Sequence, residues 1–356
     1  MSKNILILGG NGFIGAECVE YLLDNNQNYN LVLVNRDNWN DWDTMSRIKS
    51  RIKENIKLDR KKGSLKAALW HYLSQEDFKF DAVIDFSAYK VRVVKNFFQE
   101  VPKDKFKIYI LISSDSVYEV CQIDMDRPNL TLDESDSIRP ESESERKKLK
   151  ELDSYGHHKL KCEEELLNHK VPYLILRLPD VIGPRDSTNR FWFYQMYLEF
   201  LEYKNPGGIH EIKISKFYHN KKTSYVFVRD VARVIDLLLK TNKQNEIVNL
   251  GFEQAMSIND LLALIALFIK PGMDQRIKCV SVENCANYIY EPFPSVTKAP
   301  FSDLNNSFEE CVRFYQSAYS KFESERRQIE KELKKEWIKD INDQEIFKKF
   351  INQFLK

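Results

Sequence analysis

The segment Ile5-Leu6-Ile7-Leu8-Gly9-Gly10-Asn11-Gly12-Phe13-Ile14-Gly15 constrains the fold more than any other stretch of the chain. An apolar run leads into a loop that holds four of the chain's 11 glycines within seven residues. Beyond it, Ile14, Cys18 and Leu22 recur at four-residue spacing, which predicts a helix. A strand, a glycine turn and a helix, in that order, make a dinucleotide-binding βαβ start. Gly9 permits the tight turn, Gly12 lets a pyrophosphate approach the backbone, and Gly15 allows the helix to pack close to the strand. The amides around Asn11, Phe13 and Ile14, at the helix N-terminus, then face the anion.

The rest of the first half continues the alternation. Strands are predicted at Ile5–Leu8, Leu31–Asn35, Ile56–Asp59, Asp81–Phe86, Phe106–Ser113 and Tyr173–Arg177, with helices over 13–24, 44–54, 64–74, 91–100 and 155–169. Continuous Val, Ile and Leu runs suit strands buried on both faces. The fold class is therefore α/β: a doubly wound parallel Rossmann sheet over residues 1–177, with 225–250 returning to it. Its ligand belongs at the carboxyl ends of the strands, and the segment Phe86-Ser87-Ala88 lies at one of those ends. Residues 178–224 and 251–314 read as a smaller C-terminal α/β substrate-binding lobe. Within it, the aromatic residues of 191–197 can form either a core or an apolar wall, and Ser257 with Asp260 forms a capping-box pattern. Residues 315–356 read as a charged helical extension, solvated and laced with ion pairs.

Composition excludes several classes of protein. With 43% hydrophobic and 30% charged residues, the chain is globular rather than disordered. Its 54 basic and 53 acidic residues leave no chain-wide field for nucleic acid or anionic membrane. Arg60-Lys61-Lys62 and Arg146-Lys147-Lys148 read as solvated loop charge, with RNA contact as the sharper alternative. The longest apolar run, Leu261–Ile269, has nine residues and is too short to span a bilayer. No secretory signal is evident at the start, and the six cysteines (Cys18, Cys121, Cys162, Cys279, Cys285, Cys311) form no C-x-x-C pair. A cytoplasmic protein without a metal site is expected.

Cofactor choice is read at the end of the second strand, where an acidic residue would hold the ribose 2′-hydroxyl of NAD. Asn35 stands there, followed by Arg36 and Asp37. A guanidinium pairs with a 2′-phosphate that a carboxylate would repel, so the expected cofactor is NAD(P), leaning to NADP. The alternative has Arg36 stacking on adenine and Asp37 turning to the ribose. Asp59, before Arg60, is placed either to contact the adenine amine or to cap a helix.

Chemistry is expected in Ser154-Tyr155-Gly156-His157-His158-Lys159. Tyr155 and Lys159 are four apart and share one helix face. An adjacent ammonium would pull the phenol below its ordinary pKa of about 10, toward proton exchange near neutrality. A hydroxyl at the strand end Ile110-Leu111-Ile112-Ser113-Ser114 emerges at the same sheet edge as the glycine loop.

Together these features resemble the extended short-chain dehydrogenase/reductases, the NAD-dependent epimerase/dehydratase family, over residues 1 to about 315. The matching elements are the glycine loop, Asp59-Arg60, Ser113–Tyr118, Tyr155-x-x-x-Lys159, Leu176–Pro184 and Tyr225–Ala232. The resemblance implies Tyr155 as proton donor or acceptor, Lys159 as the group that lowers its pKa and holds the nicotinamide ribose, and Ser114 as the group that orients the substrate oxygen. It also implies that the segment from Pro179 lies beside the nicotinamide, that the substrate is a hydroxy/keto compound such as a nucleotide sugar, and that dimers form through the tyrosine-bearing helix. The chain departs from the family at Ser114-Asp115-Ser116, where dehydratases carry Thr-Asp-Glu, so epimerisation or reduction is favoured over dehydration. Glu119 replaces the usual glycine, and His157 and His158 replace small residues and are expected on the exposed side of the helix. Arg185, Arg190 and Arg229 are candidates to grip a phosphate or carboxylate. A non-catalytic member of the same fold, sensing cofactor or binding RNA or protein, is the alternative function.

Overall fold

The computed structural model describes residues 2–25, 28–39, 42–123, 132–216, 221–241, 243–282 and 302–355. Cys285 and the parts 217–220 and 283–301 of the predicted lobe lie outside the described residues. The other five cysteines are free thiols. No helix among the described residues is long and apolar enough to cross a membrane.

The chain divides into two units. The first comprises residues 1–181, 226–253 and 293–301. It is built on a sheet of β1 (Lys3–Leu8), β2 (Tyr29–Asn35), β3 (Glu54–Lys57), β4 (Ala82–Asp85), β5 (Tyr109–Ser114), β6 (Tyr173–Leu178) and a seventh strand, Glu246–Asn249. Their spatial order is Glu246–Asn249, β6, β5, β4, β1, β2, β3, and every pairing is parallel. The order reverses between β1 and β4, which makes their carboxyl ends the ligand edge of a doubly wound sheet. The seventh strand was not among the six expected, because Glu246-Ile-Val-Asn249 is too short and too polar at its ends to announce itself.

Helices α1 (Phe13–Asn25), α2 (Leu65–Ala68), α3 (Trp70–Leu73), α4 (Val91–Glu100), α5 (Glu143–Leu152) and α6 (Ser154–Asn168) belong to this unit, with helix Val228–Lys240 packed on α1. Buried side chains pack on both faces of the sheet: Ile5, Ile7, Leu31 and Leu33 on one, Leu6, Leu8, Val32 and Val34 on the other. The period-two alternation of a strand divides a continuous apolar run in this way. Two predicted helices are corrected. The stretch 44–54 yields only a five-residue π turn at Met45–Lys49, since β3 already begins at Glu54; 64–74 breaks into the two four-residue helices α2 and α3. β3 ends at Lys57, two residues before the predicted end at Asp59.

The second unit comprises residues 182–225, 254–292 and 302–356. Its centre is helix Arg190–Lys204, in which Phe191, Trp192, Phe193 and Tyr194 are buried, so this aromatic stretch is core rather than an open wall. Tyr315 stacks on both Phe191 and Trp192, and Trp337 meets Phe193, Tyr194 and Tyr197. Ser257 and Asp260 form the expected capping box at helix Ile258–Ile269. Residues 315–356, read above as a separate extension, fall within this unit. Helix Glu323–Glu336 buries Ile329 and Leu333 and keeps ion pairs such as Arg327–Glu323 on its outer face.

Candidate functional site

The glycine turn is built as the sequence predicts. Gly9 lies in the left-handed region at φ +82°, and its amide donates to Val34 O over 2.9 Å. A Cβ added at Gly15 would stand 2.5 Å from Gly9 O, so only glycine lets α1 approach the strand this closely. A Cβ at Gly12 would meet only Gly9 O, at 3.8 Å. That face, next to the first turn of α1, is open, which leaves the backbone amides there accessible to an anion. Asn11 donates to Asn38 O and joins the turn to the end of β2, while Phe13 and Ile14 open α1 half-buried.

At the end of β2, Asn35 is buried and donates to Asn55 Oδ1 over 2.7 Å. Arg36 is exposed. Asp37 adopts φ 58°, and its carboxylate is held by Trp39 Nε1, Asn55 Nδ2 at 3.1 Å and Lys49 Nζ at 3.4 Å. Those partners, the Trp39 hydrogen bond foremost, keep Asp37 below the usual carboxylate range.

Asp59 and Arg60 lie in different surroundings, half-buried and buried. Asp59 accepts from the amide of Lys61 at 2.9 Å and so closes a turn; it caps no helix, because Ser64 holds the N-cap of α2. Arg60 is buried, and its guanidinium points beneath the sheet edge to Asp85 and Ser87, both at 2.8 Å. Tyr109 donates its hydroxyl to the same carboxylate over 2.6 Å. Burial pushes the Asp85 pKa up, but the charge and hydrogen bonds of Arg60 outweigh that and hold it below the usual range. Asp85 was not foreseen as part of the site. Its signal was a lone carboxylate closing the apolar strand Ala82-Val-Ile-Asp85, a position that demands a buried cation.

On the other side of the switch point, Asp153 caps α6 by accepting from the amides of Tyr155 (2.8 Å) and Gly156 (2.9 Å). A Cβ at Gly156 would stand 2.0 Å from Ser116 O, so glycine there lets the first turn of α6 press onto the 3-10 turn Asp115–Val120. This contact brings Tyr155 near Ser114, which ends β5; the Ser114 hydroxyl donates to Asp115 Oδ1 at 3.3 Å and Ser116 Oγ at 3.2 Å. Tyr155 is 45% exposed, open at the surface of the first unit rather than sunk in its core. Lys159, one turn on, is buried; its Nζ donates to Ile112 O at 2.6 Å and Ala88 O at 3.2 Å and lies 5.5 Å from the ring centre of Tyr89. Ser87 and Ala88 thus meet the glycine turn on one side and the lysine on the other, beside buried Phe86; buried Pro179 follows β6.

The electrostatics of Tyr155 differ from the expectation. Its pKa is raised, not lowered: loss of water around the hydroxyl end is the largest cause, and Tyr89, Asp115 and Asp153 add to it, against the Ser114 hydrogen bond. Lys159 is drawn to backbone carbonyls, and burial lowers its own pKa. His157 is buried instead of exposed, beside Arg139, and burial followed by that positive charge takes its pKa down to about 4. α6 is anchored further along by Glu163, which pairs with Arg177 of β6 at 2.7 Å and accepts from Ser113 of β5. Arg229 is not free for a ligand phosphate, since it pairs with Glu17 at 3.0 Å. In the second unit, Arg185 lies over the Phe314 ring and Arg190 donates to Thr188.

Comparison with known proteins agrees with this architecture. Residues 5–251 match the family model described as "NAD dependent epimerase/dehydratase family". The chain is 27% identical over 293 residues to a "Putative UDP-glucose 4-epimerase" of Methanocaldococcus jannaschii, covering 73% of this chain and 81% of that one. Among solved structures, the UDP-N-acetylglucosamine 4-epimerase of Methanobrevibacter ruminantium superposes with a TM-score of 0.62 at 18% identity, over 89% of this chain and 99% of that one. The dTDP-glucose 4,6-dehydratase of Bacillus anthracis, solved with NAD, gives a TM-score of 0.64 at 16% identity, over 91% and 100%.

Proposed function

From the premise that the chain belongs to the NAD dependent epimerase/dehydratase family, we propose that it is an epimerase or reductase acting on a hydroxy/keto group of a nucleotide sugar. The observation that carries this reading is the meeting of Ser114, Tyr155 and Lys159 at the sheet edge that also bears the open glycine turn. A bound dinucleotide supplies the hydride acceptor or donor. Gly9–Gly15 would hold its pyrophosphate, Lys159 would hold its nicotinamide ribose, and Pro179 would lie beside the ring. Ser114 orients the substrate oxygen. Tyr155 carries the proton; burial of its hydroxyl end raises its pKa away from the range that suits proton exchange at neutral pH, so a bound dinucleotide would have to bring it down. Ser116, where a dehydratase would have its glutamate base, favours epimerisation or reduction over elimination. The curated relative named for UDP-glucose supports a UDP-hexose as the first substrate to try.

NADP is the proposed dinucleotide. Arg36 is exposed at the end of β2, while the carboxylate of Asp37 is taken up by Trp39, Asn55 and Lys49. Arg36→Ala should weaken NADPH binding by about tenfold, the worth of a charge-assisted pair, and leave NADH nearly unchanged; equal effects on both would remove Arg36 from the 2′-phosphate.

The decisive assay follows turnover of UDP-glucose and UDP-N-acetylglucosamine by the wild type and Tyr155→Phe. The variant should bind dinucleotide normally and lose about 10²-fold or more in kcat. Undiminished turnover would falsify the role of Tyr155; dinucleotide binding without turnover of any hydroxy or keto sugar nucleotide by the wild type would favour the non-catalytic binding reading.

A further inference from the structure

The charge pair under the ligand edge has no part in the chemistry proposed above, yet both halves of that site rest on it. Arg60 arrives from the turn after β3, and one nitrogen of its guanidinium bonds Asp85 and Ser87 together, while the other reaches Val93 O at 3.4 Å. Asp85 in turn accepts from the amide and the hydroxyl of Ser87, at 2.8 and 3.1 Å. Two arms leave this cluster. Ser87 backs the glycine turn: its Cβ stands 2.9 Å from where a Cβ on Gly9 would be. The next residue, Ala88, offers its carbonyl to Lys159. The carboxylate also acts through space, since Asp85 works to keep the buried Lys159 an ammonium.

We propose that Arg60 and Asp85 act together as positioning residues, clamping Phe86–Ala88 so that the glycine turn and Lys159 keep the fixed separation a dinucleotide must bridge. The proposal rests on the dinucleotide-binding reading and gives Arg60 a positioning role rather than a contact with the cofactor. The guanidinium is buried and its two terminal nitrogens are spent on Asp85, Ser87 and Val93 O, which suits a tie beneath the site better than a contact with adenine.

A double-mutant cycle over wild type, Arg60→Met, Asp85→Asn and the double variant tests it, read at a temperature where all four are folded by circular dichroism. The readouts are NADPH affinity, from fluorescence of the reduced nicotinamide, and amide hydrogen exchange over Gly9–Gly15. Each single variant should bind about tenfold more weakly or worse and exchange faster at the turn, and the double should lie within about threefold of the weaker single, since both changes remove one interaction. Normal binding and exchange in Asp85→Asn, or single effects that multiply in the double, would overturn the clamp. Ser87→Ala keeps the ion pair and serves if the charge variants do not fold: faster exchange at Gly9–Gly15 supports the clamp, and unchanged exchange overturns it. A wild type that binds neither NADPH nor NADH contradicts the dinucleotide reading, while the exchange arm still decides whether the pair positions the turn.

Discussion

Each unit buries a carboxylate, and the two are held in opposite states. Asp85 in the first unit faces a guanidinium and stays ionised below the usual carboxylate range. Glu199 in the second unit is bonded by the neutral groups of Tyr319, Gln195 and Gln316, and burial pushes its pKa up to about 7. Burial alone therefore does not decide what a buried acid does. A partner charge turns the acid into a rigid tie, and neutral donors leave it able to take up a proton near physiological pH. The tie sits under the candidate site. The titratable carboxyl sits in the aromatic core of the second unit.

The comparison can be broken by removing the cation. Arg60→Met leaves Asp85 buried without its charge partner and should cost about 3–5 kcal/mol of stability, read as a lower denaturation midpoint. A loss below about 1 kcal/mol would mean that Asp85 simply protonates, as Glu199 does, and the contrast would vanish. Glu199→Gln sharpens the other side. Because the folded-state pKa is raised above the ordinary value of about 4.3, the native protein holds a proton that the unfolded chain has released, and stability falls as pH rises from about 4.3 through about 7. The variant should gain on the order of 2 kcal/mol over the wild type at pH 8, and the gain should fade on acidification toward pH 4. A gain independent of pH would contradict the assignment. The smallest effect belongs to His157. With its pKa depressed to about 4, it favours the unfolded state as pH falls from about 6.5 toward 4. His157→Gln should therefore lose less stability than the wild type between pH 7 and pH 5 in urea titrations; an identical pH slope would place the imidazole in water.

Much of the first unit was legible from the sequence. Strands there are apolar runs ended by glycine, serine or aspartate, and they alternate with helical periodicity. The glycine turn, the hydroxyl of Ser114 and the Tyr155/Lys159 spacing all follow from local rules that survive folding. What the sequence did not reveal depends on contacts between residues far apart in the chain. Arg60 and Asp85 are 25 residues apart and bind each other only because β3 and β4 lie in one sheet. Tyr155 and Lys159 share a helix face as expected, but Ile112 and Ala88 offer the ammonium carbonyls that the spacing alone does not show. His157 looks solvent-facing on a helical wheel until the chain around Arg139 covers it. In the second unit the aromatic run 191–197 has helix-compatible spacing, but spacing alone left core and open wall as alternatives, and helix Arg190–Lys204 is buried nearly all round.

The account stands on one dinucleotide joining the glycine turn to Tyr155. An experimental structure of the chain with bound NADP tests this most directly. It should show the pyrophosphate on the Gly9–Gly15 amides, Arg36 against the 2′-phosphate, and Lys159 and the Tyr155 hydroxyl within hydrogen-bond reach of the nicotinamide ribose, at roughly 2.6–3.2 Å. A dinucleotide bound elsewhere, or one seated on the turn with Tyr155 out of its reach, would contradict it.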